Sequence, residues 1–573
     1  MNTEASPVTG GDLPLGSAVP PDCPHAILCS IPTWTDLVDY LDRKEWVMKA
    51  LKTAYPRMML HTFVKQLNKV CSGIHGKEDE DCLVFPSFKI AEYCHAYVLK
   101  HADGTAQPRI VSFTLPVKDD AAISLLLPDG VPELFAVLFP SALFAQAMSF
   151  WVYTGTGITP RLAEQYLSAV PTELLDTSTL TMPLAPGNWR NSDFYKVHRP
   201  LESGADAKNV IRRRFSGIID DGPENIRGVP YVSPDDVYLY STGMSAIWHA
   251  HLMVLHTQSK ETKCAALNLL YSHTYNVLEI WGPGYFSNRS IDDLETLLAL
   301  EHARNPSQPP VSALYLDFPA NPLLKCADVP RLRKLADQYG FPLIVDETVG
   351  NFLNVQLLPY ADIITCSLTK VFSGLANVMG GAFLLNPTSK HYPAFKAYMD
   401  ANFEDTYFSE DAVCIEANSR DMKRRVPMID HNAEAIADFF YEESLKEGSV
   451  IKQVLYPKYQ MREQYEACWS KATDKPGYGG LLTLNFISKT AAMAFFDALP
   501  CYKTVTHGTV ITLAVPFAEA GFHNKLEWAL ENGVDYASVR FGIGMEDLTS
   551  LKDGFKAALA KATVEHVASL EQK

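Results

Sequence analysis

Downstream of residue 236, short apolar runs alternate along the chain with longer stretches of helical periodicity. Six of the runs have the length and composition of buried strands: 237–240, 264–270, 313–317, 341–345, 362–367 and 381–385. Residues 245–256 and 330–340 predict helices, and the second begins with a proline and ends with a glycine. Apolar strands separated by helices predict an α/β fold with a mostly parallel sheet that helices cover on both faces.

The first 200 residues follow another pattern. Residues 1–22 hold four prolines, three glycines and few large apolar side chains, which predicts a disordered tail. Beyond them come short strands, such as Leu83–Phe85 and Ile110–Leu115, and helical stretches such as Trp34–Leu41. We interpret residues 23–200 as a separate N-terminal extension of α+β type.

One apolar stretch has the length to cross a bilayer, because no charged residue occurs from Leu134 to Tyr153. Four residues interrupt it: Pro140, Ser141, Gln146 and Ser149. A proline at this place fits the first turn of a helix in a globular protein better than a bilayer midpoint. We therefore expect this stretch in the protein core and predict no contact with membranes.

Composition narrows the possible functions. The 573 residues are 47% hydrophobic and 20% charged, which is typical of a folded enzyme of several domains. The formal charge of −16 gives an acidic surface that repels phosphate backbones, so we predict no nucleic-acid binding. The eleven cysteines form no C-x-x-C pair and predict reduced thiols without a metal site. No Lys or Arg precedes Arg43, which argues against a targeting leader and favours a cytoplasmic protein.

Three polar sites follow predicted strands, at the edge of a parallel sheet where ligands bind. The first is Tyr240–Ala246, where a strand ends, Gly243 permits a tight turn and a helix begins. The free N–H groups of such a helix start can hold a phosphate. The alternative is a helix start capped by Ser241 or Thr242 without a ligand.

The other two sites carry Asp346 and Lys370. Asp346 directly follows a buried strand and can keep a cationic ring nitrogen protonated, although a carboxylate there can also cap a turn. Lys370 follows the strand 362–367 and has the hydroxyls of Ser367 and Thr369 nearby. A partly desolvated lysine loses its proton readily and can form a Schiff base, whereas an ordinary surface lysine is the alternative.

Six sites occur in one order along the chain: Gly243-Met244, Tyr271, the segment 317–322, Asp346, Ser367-x-Thr369-Lys370 and Arg540. Together they resemble the Cys/Met-metabolism pyridoxal-phosphate enzymes, which include cystathionine γ-synthases, O-acetylhomoserine sulfhydrylases and methionine γ-lyases. The resemblance runs from about Arg212 to the C-terminus. The extension resembles that of fungal cystathionine γ-synthases in four segments: Ser30–Trp34, Tyr55–Arg57, Cys82–Pro86 and Thr154–Ile158.

The resemblance implies a fold type I transferase. Residues 201–395 would form the large domain that binds pyridoxal 5'-phosphate, and residues 396–573 a smaller α/β domain. Active sites of this family draw phosphate contacts from two subunits, which implies a homodimer or homotetramer. The partners would be an amino-acid substrate and a second, nucleophilic substrate.

The resemblance also implies roles for single residues. Lys370 would carry the Schiff base and move protons, and Asp346 would pair with the ring nitrogen. Tyr271 would stack on the ring and assist proton transfer. Four residues would hold the phosphate: Gly243, Met244, Ser367 and Thr369. Asn321 and Arg540 would bind the substrate carboxylate, with Arg540 as a two-donor fork.

The chain departs from the family pattern in four places. Asn276 stands where bacterial cystathionine γ-synthases have an arginine, which favours an acetyl over a succinyl leaving group. His273 is either an added substrate-binding or acid–base group or a packing residue. Thr506 and His507 replace a Ser-Leu pair near the substrate carboxylate. The Tyr-Ser-Arg phosphate segment is absent as such, and the run around Arg213 either reaches a neighbouring phosphate or is a solvated basic patch.

Four functions follow from these residues. The leading one is γ-replacement on an O-acyl-L-homoserine by a sulfur nucleophile, through a vinylglycine-type intermediate, giving cystathionine. The second uses the same electrophile with a carbon or nitrogen nucleophile, to make an unusual amino acid in specialised biosynthesis. The third is a lyase, although the chain lacks the cysteine that methionine γ-lyases have two residues after Tyr271. The fourth is a non-catalytic regulator that binds through its N-terminal 200 residues.

Overall fold

A computed structural model of the chain describes residues 10–21, 23, 25–102, 104, 107–113, 133–176, 178, 180–219 and 225–571. The strands are β1 Ala18–Val19, β2 Leu28–Cys29, β3 Glu80–Phe85, β4 Arg109–Phe113, β5 Leu134–Pro140, β6 Val237–Tyr240, β7 Cys264–Leu267, β8 Tyr285–Asn288, β9 Leu314–Asp317, β10 Leu343–Asp346, β11 Ile363–Cys366, β12 Gly381–Leu385, β13 Ile451–Leu455, β14 Leu481–Phe486, β15 Tyr502–Lys503, β16 Leu513–Val515 and β17 Ser538–Gly542.

The helices of the N-terminal half are α1 Trp34–Leu41, α2 Glu45–Ala50, α3 Thr62–His75, α4 Phe88–Leu99, α5 Phe144–Thr154, α6 Pro160–Ala169, α7 Asp193–Val197, α8 Gly204–Phe215, α9 Gly243–Thr257 and α10 Ser272–Ile280. Those that follow are α11 Ile291–Arg304, α12 Val329–Tyr339, α13 Tyr392–Asn402, α14 Ser409–Ser419, α15 Met422–Ser444, α16 Pro457–Gln460, α17 Arg462–Glu466, α18 Lys489–Ala498, α19 Phe517–Phe522, α20 Leu526–Glu531 and α21 Leu548–Glu571.

A seven-stranded sheet forms the centre of the molecule, in the order β6-β12-β11-β10-β9-β7-β8. The five strands β7 to β11 pair in parallel, and β12 runs antiparallel to both of its neighbours. Every residue of β6, β7, β9, β11 and β12 is buried, as expected for a sheet covered on both faces. The predicted α/β fold with a mostly parallel sheet is confirmed.

Local signals fix the helix that matters most for ligand binding. Thr242 caps α9, because its side-chain oxygen accepts a hydrogen bond from the N–H of Ser245 at 3.0 Å. The helix therefore starts at Gly243, directly after β6, with its remaining N–H groups at the carboxyl end of the sheet. The second predicted helix has equally clear signals at its ends. Pro330 lies in the first turn of α12, and Gly340 ends the helix at a φ of 85°.

A second sheet, in the order β13-β14-β17-β16-β15, lies in the C-terminal part of the chain. It is antiparallel except for the pair β15–β16. One face packs on α18 and α21 through phenylalanines such as Phe495, Phe541 and Phe555, whose rings are in contact. Arg540 lies in the middle of β17, within this sheet.

The N-terminal extension contains two parts. Helices α3, α4, α5 and α6 pack with the antiparallel sheet β3-β5-β4 around their own apolar core. The segment before α3 packs instead on the C-terminal sheet, where the N–H of Ile31 donates to the carbonyl of Lys503 at 2.9 Å. The predicted extension, 23–200, therefore holds a layer of its own and a segment that packs across the C-terminal sheet, which we call the strap.

The predicted disordered tail, 1–22, is wrong for residues 10–21. The pair Ala18–Val19 forms β1 and pairs antiparallel with β2, and the N–H of Gly11 donates to the carbonyl of Pro500 at 2.7 Å. Glycine permits this packing: a side chain on Gly16, at a φ of 78°, would meet the carbonyl oxygen of Ala50 at 2.1 Å. The same glycines that suggested disorder bring the backbone against its neighbours. Residues 1–9 and 22 lie outside the described residues.

The uncharged stretch 134–153 is divided between the strand β5 and the helix α5. Its residues Leu134, Val137 and Phe150 have no exposed surface and belong to the core of the N-terminal layer. In the described part of the chain, every helix is too short or too polar to cross a membrane.

Candidate active site

A single cavity of about 810 Å³ opens at the carboxyl ends of the central strands. We call its deep part the inner cavity; these residues line it: Tyr55, Arg57, Gly243, Met244, Tyr271, Asp317, Asn321, Asp346, Ser367, Lys370, Thr506 and Arg540. We call the cleft between α10 and the segment 517–528 the outer cavity; these residues line it: His273, Asn276, Glu279, Phe522, Lys525 and Trp528. Ten of the twelve predicted site residues line this cavity.

Lys370 lies at the floor of the inner cavity. Its Nζ donates to the hydroxyl of Thr506 at 2.5 Å and lies 4.8 Å from the centroid of the Tyr55 ring. Burial lowers the pKa of Lys370 to about 7, and the positive charges of Arg57 and Arg540 add to this shift, which Tyr271 opposes. About half of the amine is therefore neutral at pH 7 and available as a nucleophile and a base.

Arg540 and Asn321 form the second feature of the inner cavity. The Arg540 Nη1 donates to Asn321 Oδ1 at 3.0 Å, and its Nη2 donates to the Thr506 carbonyl at 3.0 Å. Its Nε is buried and has no partner among the described residues. The ring of Phe517 lies 4.3 Å from the guanidinium carbon. A buried cation with a free donor, fixed against an amide, suits a substrate carboxylate.

Two carboxyl groups end adjacent strands. Asp317 and Asp346 are paired in the register of β9 and β10. Burial raises the pKa of Asp317 well above its usual value, and the charge of Asp346 raises it further. Burial also raises the pKa of Asp346, whose Oδ1 accepts from the N–H of Thr348 at 2.8 Å. A cationic ring nitrogen beside Asp346 would favour its ionised form.

The neighbouring Glu347 points elsewhere. It forms a buried ion pair with Arg227 at 2.6 Å, and its side chain has no exposed surface. Adjacent residues at a strand end face opposite sides, so only Asp346 of the two reaches the cavity.

Gly243 and Ser367 form a narrow cradle at the start of α9. A side-chain carbon on Gly243 would lie 2.7 Å from the Cβ of Ser367, which is too close for any other residue. Gly243 and Ser367 both line the cavity, so the free N–H groups of this helix start lie close to a hydroxyl, an arrangement that suits a phosphate. Met244, the next residue, also lines the cavity.

Arg57 and Tyr55 are two of the site residues that sequence analysis missed. The Arg57 guanidinium donates to the Tyr271 hydroxyl through Nη2 and to the Val152 carbonyl through Nη1, the latter at 2.6 Å. Arg57 is only 4% exposed and has no carboxylate partner among the described residues. The sequence analysis uses Tyr55-Pro-Arg57 only for the resemblance of the extension, although the segment is a Tyr-x-Arg sequence.

Gly155 brings this arginine to the phosphate cradle. Its carbonyl accepts from the hydroxyls of Ser241 and Thr242 at 3.2 and 3.0 Å. A side-chain carbon on Gly155 would lie 3.1 Å from Met244 and 3.2 Å from Arg57. The N-terminal layer therefore docks on the turn before α9 and places a cation beside it.

Two predicted phosphate ligands lie elsewhere. The Thr369 hydroxyl is buried and donates to the Gly380 carbonyl at 3.2 Å, which holds the loop behind Lys370. Arg213 is exposed on α8, outside the cavity of its own chain. Its proposed contact concerns a neighbouring subunit and stays a prediction. Asp317, which the sequence analysis had not selected, lies in the cavity and accepts from the Tyr271 N–H at 2.8 Å.

His273 lies where the inner cavity meets the outer cavity. Its Nδ1 is 3.1 Å from Arg57 Nη1, and its ring contacts those of Tyr271 and Tyr153. Burial lowers its pKa well below the usual value, and the charges of Arg57 and Lys525 add to this shift. His273 is therefore neutral at physiological pH.

Comparisons with known proteins identify the family of the chain. Residues 233–560 match the family described as Cys/Met metabolism PLP-dependent enzyme, and residues 63–159 match the fungal trans-sulfuration enzyme, N-terminal domain. The chain is 40% identical to the cystathionine gamma-synthase-like enzyme iboG1 of Amanita muscaria, over 96% of this chain and 98% of the relative. It is 32% identical to the cystathionine gamma-synthase of Neurospora crassa, over 96% of this chain and 98% of that relative.

Among solved structures, the chain is similar to the cystathionine gamma synthase of Xanthomonas oryzae pv. oryzae in complex with cystathionine. The TM-score is 0.49 and the identity 20%, over 63% of this chain and 98% of that one. Pyridoxal phosphate is the cofactor of the matched family, and the inner cavity fits it. Lys370 would bind it covalently, Asp346 would face the ring nitrogen, and the cradle at Gly243 and Ser367 would hold its phosphate.

The strand-end positions of these groups and the match over more than half of the chain lead to one conclusion. The chain belongs to the Cys/Met-metabolism family of pyridoxal-phosphate-dependent enzymes, as a relative of fungal cystathionine γ-synthases.

Proposed function

We propose that the protein catalyses γ-replacement on an O-acyl-L-homoserine, with acetyl as the favoured acyl group and a sulfur nucleophile such as cysteine. The product with cysteine is cystathionine. Support comes from the two-part cavity: a lysine with its pKa lowered to about 7 lies deep beside a pair of groups suited to a carboxylate, and an open cleft leads outward.

The inner cavity would position the first substrate. Arg540 and Asn321 would hold its α-carboxylate, and the buried, unpartnered Nε of Arg540 supplies a further donor. Phe517 covers one side of the guanidinium and keeps water from that surface. The substrate would thereby lie with its Cα beside the Lys370 amine, since both groups contact Thr506.

Lys370 would do the proton chemistry. Pyridoxal phosphate, when bound, withdraws electrons from the carbon atoms of the amino acid and makes their protons acidic. The Lys370 amine can take a proton from Cα, pass that proton on so that it is neutral again, and then take a proton from Cβ, because its pKa of about 7 leaves about half of the free amine neutral at pH 7. The acyloxy group then leaves Cγ as a carboxylate with its electron pair, the thiol loses its proton as its sulfur adds to Cγ, and protons return to Cβ and Cα.

Mass spectrometry of the products tests the proposal. Purified holoenzyme is given O-acetyl-L-homoserine with equal amounts of cysteine and a β-keto acid, and Lys370→Ala is the matched control. We expect cystathionine from the wild type and no product from the variant. A keto acid and ammonia, formed at the same rate without any nucleophile, would instead identify a lyase.

A carbon nucleophile is the second candidate. His273 and Asn276, on the outer side, and His507, on the inner side, differ from the residues that bacterial cystathionine γ-synthases have there. A carbon-linked amino acid as the main product, with cysteine ignored, would assign the protein to specialised biosynthesis.

The proposal includes the assembly and location of the protein. We expect a cytoplasmic homodimer or homotetramer, by analogy with the family, in which Arg213 faces a neighbouring subunit. Light scattering during size-exclusion chromatography measures the mass, and a monomer with full activity would contradict this part.

A further inference from the structure

The two walls of the outer cavity carry charges that the chemistry described above does not use. One wall is α10, whose residues His273, Asn276 and Glu279 lie three positions apart on one face. The other wall is the segment 517–528, which carries Lys525. The rings of Tyr275 and Trp528, 5.7 Å apart, hold the walls together at their base.

The contact with Arg57 determines which ring nitrogen of His273 carries the proton. A guanidinium can only donate, so the contact of 3.1 Å between Arg57 Nη1 and His273 Nδ1 requires Nδ1 to accept. The neutral ring then has its proton on Nε2. His273 is therefore a fixed hydrogen-bond donor at the entrance of the outer cavity and cannot serve as a base through Nδ1.

Lys525 adds a positive charge on the opposite wall. Its side chain has neither an ion pair nor a hydrogen bond within the described ranges, although it lies close enough to lower the pKa of His273. The neighbouring His523 is different, because it contacts Asp42 at 2.8 Å and Glu519 at 3.3 Å. Lys525 is thus the cation of this wall that remains available to a ligand.

Glu279 sets the limit of this positive region. Its carboxylate lies at the far end of the same α10 face, beside Gly284, where a side-chain carbon would be 3.2 Å from Oε2. An anion is repelled at that end and attracted at the end with His273 and Lys525. The cleft therefore favours an anionic group near the inner cavity.

We propose that His273 Nε2–H and the Lys525 ammonium form a binding site for a second carboxylate, distinct from the α-carboxylate that Arg540 holds. This inference rests on the proposed function, since it assigns the group that enters the outer cavity. The carboxylate belongs either to the nucleophile or to a dicarboxylic acyl leaving group. Asn276, between His273 and Glu279, adds an uncharged amide to the same surface.

Four nucleophiles separate these sources when O-acetyl-L-homoserine is the first substrate. Cysteine and 3-mercaptopropionate carry a carboxylate, whereas cysteamine and sulfide carry none. We expect Lys525→Met to raise KM about twofold to fivefold for the first two, the size of a partly exposed charge pair, and not to raise it for the other two, which carry no carboxylate. The control is Lys556→Met, which removes an exposed lysine of α21 outside the cavity.

A second arm tests the leaving group. With sulfide as nucleophile, kcat/KM is compared for O-acetyl- and O-succinyl-L-homoserine. If the succinyl carboxylate occupies the site, Lys525→Met lowers kcat/KM for the succinyl ester alone. The KM values of the four nucleophiles then do not depend on whether the nucleophile carries a carboxylate. Whichever of the two experiments responds to Lys525→Met, His273→Phe should cause a similar loss. His273→Gln should lose less than His273→Phe, because the glutamine amide can donate a hydrogen bond.

Binding measured without turnover separates the two proposals. Titration calorimetry of the holoenzyme with 3-mercaptopropionate and with succinate should show binding that weakens in Lys525→Met but not in Lys556→Met. No γ-replacement product together with Lys525-dependent binding would refute the proposed function and leave this site standing. Unchanged KM ratios in both arms and unchanged binding in Lys525→Met would overturn the site.

Discussion

The inner and outer parts of the cavity are held in different ways. In the inner cavity, Lys370, Thr506, Arg540 and Asn321 form one connected set of hydrogen bonds, and Arg540 and Asn321 are less than a tenth exposed. In the outer cavity, Lys525 is exposed and has no ion pair within the described residues. The inner part thus has one fixed geometry, whereas the outer part leaves a charge for a ligand.

This difference indicates how the two parts contribute to function. Buried groups that fix one another set the chemistry, because their positions and pKa values follow from the fold. Exposed groups on two facing walls set which second substrate enters, because they act mainly on the ligand. Substitutions deep in the cavity should therefore cost most in rate, and substitutions in the cleft should change selectivity by small factors.

Removing the Lys370 amine should have the largest effect. We expect Lys370→Ala to lower kcat by about 1000-fold or more, since the base and the point of covalent attachment are both lost. The holoenzyme should also lose the visible absorbance of covalently bound cofactor. Turnover near the wild-type rate would mean that the inner cavity is not the catalytic centre.

Arg540→Lys should have the second-largest effect on the rate. It keeps the charge but loses the fork that contacts Asn321 and Thr506, so we expect kcat/KM for O-acetyl-L-homoserine to fall about 100-fold, with a buried charge left poorly paired. Steady-state kinetics over substrate concentration measures the fall. The control is Arg304→Lys, whose guanidinium lies on the exposed side of α11. Equal effects in both variants would contradict the carboxylate clamp.

The sequence predicts part of the inner cavity because several of its residues directly follow strands. Six predicted strands appear as β6, β7, β9, β10, β11 and β12, with ends shifted by at most three residues. Gly243, Asp346 and Ser367 needed no knowledge of distant packing, since a parallel sheet brings its strand ends to one edge. Asp317 carried the same signal, as a carboxylate that ends a strand.

Arg57 was missed for a physical reason. It reaches the cavity only because the strap before α3 packs on the C-terminal sheet and Gly155 docks on the turn before α9. Such contacts join parts of the chain about 90 to 470 residues apart, and no local pattern encodes them. The run around Arg213 looked like a better phosphate ligand because its charges are adjacent in sequence.

Comparing Arg57 with Arg213 tests this point. We expect Arg57→Met to raise the Kd of pyridoxal phosphate about 10- to 100-fold, because a charged donor near Tyr271 and Met244 is lost. Equilibrium dialysis of the apoenzyme measures it. If Arg213→Met weakens binding and Arg57→Met does not, a neighbouring subunit holds the phosphate.

The pH dependence of cofactor attachment should show the shifted pKa of Lys370. Only the neutral amine reacts, so the attachment rate should fall about tenfold per pH unit below pH 7 and level off above about pH 8. Stopped-flow absorbance of the apoenzyme mixed with pyridoxal phosphate records the rate, and butylamine in solution corrects for the cofactor's own ionisation. A rate that keeps rising to pH 10 would mean that burial does not shift this amine.

The smallest effect is expected in the outer cavity, at Asn276. Asn276→Arg adds a cation one helical turn beyond His273, on the face that lines the cleft. It should raise kcat/KM for O-succinyl- relative to O-acetyl-L-homoserine by about twofold to fivefold, the size of a partly exposed ion pair. Competition between the two esters, followed by mass spectrometry, resolves such a ratio. The gain in this ratio from Asn276→Arg should be larger in Lys525→Met than in the wild type, because the added arginine then supplies the missing charge. An equal gain in both backgrounds would mean that the two walls do not bind the same carboxylate.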